Sequence, residues 1–106
     1  MKQIQAQLLM AIVADDFRVT VGEMKGSDHC ANTVLARRVA VYLCRECIGM
    51  RFVEITDLFG IHPSAVITGD RDMEIRLKDE DPKYDELRGR VMDLIRKIDR
   101  AWEKLE

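Results

Sequence analysis

A chain of 106 residues, with 47% hydrophobic and 34% charged side chains, is long enough to bury one core and too apolar to stay disordered. Its net charge of −2 and pI near 5.7 lack the overall basic field usual in nucleic-acid-binding domains, so any such binding must rest on a local basic face. No apolar run approaches the ~18 residues of a membrane span. Gln3, Gln5 and Gln7 stand where a signal peptide would be apolar, which predicts a cytoplasmic protein with one domain over residues 1–106.

In chain order, Ile4, Leu8, Ile12, Val13 and Phe17 give the stripe of an amphipathic helix from Gln3 to Phe17. Thr20 is placed to cap a short helix around Val21 and Met24 that ends at Gly26. The polar stretch Gly26 to Asn32 reads as a loop, the best candidate for a mobile segment. Asn32 or Thr33 is the expected cap of a long helix running to Ile48, with Gly49 at its C-terminal position. Val34, Leu35, Val39, Val41, Tyr42, Leu43, Cys44, Cys47 and Ile48 leave that helix few polar faces, which predicts that it is buried at the centre.

Phe52, Ile55 and Phe59 then form one apolar stripe of a short helix from Phe52 to Phe59. Gly60, Ile61 and His62 make a tight turn, and Pro63 supplies the fixed φ suited to a first helical position. The next helix is predicted from Pro63 to Asp72, with Gly69 as a point where it frays or stops near Thr68, because glycine costs about 1 kcal/mol relative to alanine inside a helix. Short helix, glycine turn and helix is the layout of a helix-turn-helix, whose second helix enters the DNA major groove. Phe52, Ile55, Phe59, Val66 and Ile67 are expected to pack on Tyr42, Leu43 and Cys44.

After a charged connector from Arg76 to Asp81, Asp81 caps and Pro82 opens a C-terminal helix over residues 82–105. Tyr84, Leu87, Val91, Leu94, Ile98, Ala101 and Leu105 alternate three- and four-residue spacings, the pattern of a heptad seam. Such a seam packs either on the chain's own core or on a second copy, giving a homodimer with two recognition helices about one turn of DNA apart. At ~36 Å, a helix over this whole span would be expected to project beyond the domain.

The central stretch resembles the C-terminal DNA-binding domain of the bacterial replication initiator DnaA, of the Trp-repressor-like helix-turn-helix type. That family's long helix commonly reads A-R-Q-V-A-M-Y-L-C-R-E-L, followed by S-L-P-E-I-G-x-x-F-G. Ala36, Arg37, Val39, Ala40, Tyr42, Leu43, Cys44, Arg45 and Glu46 fall on the first pattern, and Glu54, Ile55, Phe59 and Gly60 on the second. The likeness extends upstream through Val13, Ala14, Phe17 and Val21, so it covers a core of residues 12–73. It implies an all-α fold and double-stranded DNA as partner. No stretch corresponds to the family's ATPase module, so no nucleotide cofactor is implied.

Two departures from the family pattern bear on function. The signature G-G-R-D-H-T-T-V-L, which opens the family's recognition helix, is replaced by Gly60, Ile61, His62, Pro63, Ser64, Ala65, Val66 and Ile67, without the Arg-Asp-His triplet. The loop before the long helix, basic in the family, has no arginine or lysine between Ser27 and Asn32. The expected reading is a stand-alone, sequence-dependent DNA binder in regulation or as a replication accessory. The alternative is an interaction or oligomerisation module that keeps the fold without DNA. If DNA is bound, Ser64, Ala65 and Thr68 should face base edges, while His62 and Arg71 reach phosphates or the groove rim. Arg37, Arg38 and Arg51 are further phosphate candidates.

Cys44 and Cys47 share a helix face, and His29 with Cys30 could add ligands, but structural zinc sites usually draw paired cysteines from turns. A buried packing role for Cys44 is the favoured reading, and no metal is expected. The sequence has no nucleophile motif, phosphate-binding glycine loop or H-E-x-x-H, so no catalytic residue is assigned.

Overall fold

The computed structural model describes residues 1–26 and 28–105, all of whose regular elements are helical. In order they are α1 (Lys2–Phe17), α2 (Val21–Lys25), α3 (Ala31–Leu43), α4 (Phe52–Phe59), α5 (Pro63–Lys78) and α6 (Asp85–Glu103). A π-helical turn (Cys44–Ile48) extends α3, and a 3-10 turn (Pro82–Tyr84) precedes α6.

Local chemistry sets most of the boundaries. At α2 the Thr20 hydroxyl accepts the Glu23 N–H at 3.0 Å and the Glu23 carboxylate accepts the Thr20 N–H at 2.9 Å, a reciprocal cap. Gly49 and Gly60, with φ of 77° and 64°, close the helices before them in the left-handed conformation that glycine adopts without strain. The start of α4 is fixed by the Glu54 carboxylate, which accepts the Arg51 N–H at 3.0 Å. That hydrogen bond, outweighing the effect of burial, lowers the Glu54 pKa.

The long helix begins two to three residues earlier than expected, and neither Asn32 nor Thr33 caps it. Cys30 occupies the cap position, its N–H bonded to the Asp28 carboxylate at 3.0 Å. The Asn32 amide instead donates to the Phe17 carbonyl at 2.8 Å, tying the start of α3 to the end of α1, while Thr33 is buried. The loop expected to be mobile is braced by Arg37, which binds the carbonyls of Gly26 and Asp28. Ser27 lies outside the described residues.

Helix α3 runs through the core as its apolar circumference predicts. Ala36, Val39, Ala40, Leu43 and Cys44 are buried against Leu9, Val13 and Phe17 of α1, Met24 of α2, and Ile55, Phe59, Val66 and Met73 of the helix-turn-helix. Two members of the expected packing set sit differently. Phe52 is 38% exposed at the outer end of α4, and Ile67 is only half-buried because Val66 and Met73 define the inner face of α5.

The expected break at Gly69 does not occur: α5 continues to Lys78, absorbing the first half of the stretch taken for a connector. A Cβ at Gly69 would lie 3.0 Å from the Arg38 Cγ, so glycine is what lets α3 and α5 approach this closely. The neighbouring Asp70 is buried and paired with Arg45 of the long helix at 2.8 Å. These tertiary contacts offset a local helix cost of about 1 kcal/mol.

The C-terminal seam is used within the chain. Val91, Leu94 and Ile98 are buried against α1, the packing of the reading in which the seam lies on the chain's own core, while Leu105 at its end stays 36% exposed. Because a 3-10 turn takes up Pro82–Tyr84, α6 is 19 residues long and lies antiparallel along the 16-residue α1 instead of projecting. Polar contacts fix the register: Arg90 Nε to the Asp16 carboxylate at 2.8 Å at one end, and the Trp102 indole N–H to the Gln5 carbonyl at 3.2 Å at the other. The Arg90 guanidinium also stacks over the Phe17 ring, 3.7 Å from its centroid.

This clasp makes stability depend on acid. Burial acts to raise the Asp16 pKa, but the hydrogen bond and charge of Arg90, followed by those of Lys97, outweigh it and lower the value. A carboxyl depressed on folding adds stability above its unfolded pKa of ~4, and that stability is lost as pH falls through the lower folded value. Asp16→Asn is therefore expected to lose about 1 kcal/mol at neutral pH, and its urea midpoint should converge with the wild-type value well below pH ~4. A constant gap between the two proteins across that range would rule out the clasp as its source.

Candidate nucleic-acid interface

The helix-turn-helix places one face of α5 in solvent. Val66, Gly69, Asp70 and Met73 are buried, which leaves Ser64, Thr68, Arg71 and Ile75 as an exposed stripe with Ala65 exposed beside it. Spacings of four, three and four residues keep that stripe on one side for about 16 Å, enough to lie along a major groove. Ile75, 66% exposed, belongs to this face and was missed by the sequence reading, which stopped the helix at Asp72. Continuing the same periodicity through Gly69 would have found it.

The first turn of α5 is held by His62. Its Nδ1 accepts the Ser64 N–H at 3.1 Å and lies 2.8 Å from the Ser64 hydroxyl, so the imidazole caps the helix. With Nδ1 accepting, the ring proton sits on Nε2. His62 is exposed, as a residue meeting a phosphate must be, but it also has a structural task that its sequence position did not reveal.

The arginine candidates have different environments. Arg71 is exposed and makes no ion pair among the described residues. Arg51 is exposed at the start of α4, its side chain 3.4 Å from Glu54. Arg38 is half-buried, crosses Gly69 and pairs with Asp72 at 2.8 Å. Arg37 is directed inward: its Nε donates to the Met24 carbonyl at 2.6 Å, and Nη2 lies 2.9, 3.2 and 3.3 Å from the carbonyls of Gly26, Asp28 and Glu23. It supplies donors to carbonyls at and just beyond the C-terminus of α2, of which that of Glu23 also accepts the Gly26 N–H, and so is set apart from the exposed set. The free carbonyls of a short helix ending in Gly26 were the available signal for this role.

Around the stripe, Arg45 is occupied by Asp70 and Glu46, and Lys78 by Glu74, at 2.8, 3.0 and 2.8 Å respectively. The cysteines form no reactive cluster. Burial, followed by the neighbouring Cys47 thiol, pushes the Cys44 thiol up to about 12, and burial also raises Cys47. Both therefore stay protonated and act as packing groups. Among the described residues, no group of three or more His, Cys, Asp or Glu side chains is placed to hold a metal ion. Among the described residues, no helix is long and apolar enough to cross a membrane.

Residues 6–72 match the family described as bacterial DnaA protein helix-turn-helix. The chain is 34% identical over 83 residues, 77% of its length, to the chromosomal replication initiator protein DnaA of Pelobacter propionicus, and 32% identical over 87 residues, 81% of its length, to that of Corynebacterium aurimucosum. It is 26% identical over 98 residues to DnaA 1 of Chlamydia trachomatis. These matches span only 18%, 16% and 21% of the respective relatives. The matched segment includes α4, the Gly60 turn and the first ten residues of α5. The chain belongs to the bacterial DnaA helix-turn-helix family.

Proposed function

We propose that this chain is a sequence-dependent duplex-DNA-binding module, acting in regulation or as a replication accessory, with α5 as the helix that enters the major groove. The observation that carries this reading is the exposed Ser64, Thr68, Arg71 and Ile75 stripe on the second helix of a DnaA-type helix-turn-helix. Serine and threonine hydroxyls can donate to or accept from base edges, and the Ala65 and Thr68 methyl groups can meet thymine methyls. Arg71, His62, Arg38 and Arg51 surround these positions as phosphate contacts. Arg37 is left out of the proposed contact surface because its guanidinium is spent on carbonyls.

With the C-terminal seam buried, one copy presents one recognition helix, and the proposed binding unit is the monomer. Arg71→Ala tests the assignment. It should weaken binding to random and DnaA-box duplexes alike and reduce the slope of log K against log salt by about one, because one phosphate contact is lost. An unchanged affinity and slope would remove α5 from the interface. Such a result would favour a protein-interaction role, for which the acidic pI and the absence of arginine or lysine between Ser27 and Asn32 also speak.

A further inference from the structure

Beside the exposed stripe, two arginines from different helices converge on one carboxylate. Arg38 Nη1 of α3 lies 2.8 Å from Asp72 Oδ2, and Arg76 Nε of α5 lies 3.1 Å from Asp72 Oδ1. Each guanidinium spends one N–H on Asp72 and forms no other hydrogen bond among the described residues. Both side chains remain about one-third exposed, at 34% and 35%. They line an open cleft of about 420 Å³ with His29, Ala31, Val34 and Leu35, at the junction of α3 and α5. Gly69 lets the Arg38 stem cross α5 to reach this point, since any Cβ there would meet it at 3.0 Å.

We propose that Arg38 and Arg76 form a phosphate-binding site for the DNA backbone, in which the Asp72 carboxylate stands where two oxygens of a phosphodiester would bind. The proposal rests on the DNA-binding reading and adds Arg76 and Asp72, to which sequence reasoning gave no role. Paired guanidiniums match the geometry and charge of a phosphate group, and a carboxylate presents the same two-oxygen edge. Asp72 lies four residues beyond Thr68 and beside Arg71, so a strand bordering the groove read by Thr68 passes this cleft. Asp72 keeps the arginines aligned while lowering the net charge of the site from +2 to +1, which weakens binding and helps explain an acidic protein with a local anion seat.

The test compares wild type, Asp72→Asn, Asp72→Asn/Arg38→Ala and Glu80→Gln in fluorescence anisotropy titrations of a short random duplex over a range of salt. Asp72→Asn should bind on the order of tenfold more tightly at low salt, with a slope steeper by about one phosphate. The added Arg38→Ala should abolish that gain. Glu80→Gln, which removes the same charge from an exposed position outside the cleft, should change affinity by less than about twofold. Asp72→Ala serves as a second variant if asparagine impairs folding. No gain from removing the carboxylate, or a gain that survives loss of Arg38, overturns the proposal.

If no variant binds DNA, the DNA-binding reading fails and inorganic phosphate decides the anion site separately. The Nε–H resonances of Arg38 and Arg76 in Asp72→Asn should shift on phosphate titration and shift less in wild type. Resonances unmoved in both proteins would reject the site.

Discussion

Phe59→Ala is expected to destabilise the protein by about 3–5 kcal/mol, lowering the urea midpoint with little change in the denaturant slope. Phe59 is the last residue of α4, is 1% exposed, and joins the core cluster with Ile55 and Val66 just before the Gly60 turn. Truncation removes the transfer energy of a large ring and leaves a cavity where α4 meets α5. Against a total stability of about 5–15 kcal/mol for a native domain, that loss is large enough to populate unfolded chains at ordinary temperature. Phe52→Ala is the internal comparison. That ring is 38% exposed, so the loss should be about 1 kcal/mol, and equal losses from the two substitutions would contradict the packing of α4 described here.

A loss of similar size, about 3–5 kcal/mol, is expected from Arg45→Met, through electrostatics instead of volume. Asp70 is 3% exposed and its carboxylate meets Arg45 Nε at 2.8 Å. The bond to Asp70, followed by the charges of Asp70, Glu46 and Glu74, raises the Arg45 pKa, whereas desolvation opposes it. Removing the guanidinium strands a buried carboxylate in the contact between the long helix and α5. Replacing both members, Arg45→Met with Asp70→Leu, removes the stranded charge and should recover most of the loss. Chemical denaturation of the two single variants and the double variant gives the coupling. Additive losses would show that the pair does not act as a unit.

The helix ends were legible where chemistry within a few residues determines them: Thr20 with Glu23, Gly49, Gly60 and Pro63 all stand where their local signals place them. Other features depend on distant groups. Gly69 reads as a helix break because its local cost is visible in the sequence, whereas the Arg38 stem that requires it lies 31 residues away. Arg37 reads as a phosphate ligand because it sits beside Arg38, but its acceptors are carbonyls 9 to 14 residues upstream. The seam of the last helix was identified, but heptad spacing does not distinguish α1 of the same chain from a helix of a second copy. On the proposed DNA face, Ser64, Ala65, Thr68 and Arg71 are exposed as the inward positions of Val66 and Met73 dictate. Arg76 and Ile75 were missed when the helix was cut short.

DNA binding by α5 is tested most directly by an anisotropy titration of the wild-type protein with random and DnaA-box duplexes across a range of salt. Three to four arginine contacts predict binding at low salt that weakens with a log–log slope of about −3, with the two duplexes distinguished at a given salt concentration. No binding to either duplex at low salt, by a protein shown to be folded, would contradict it.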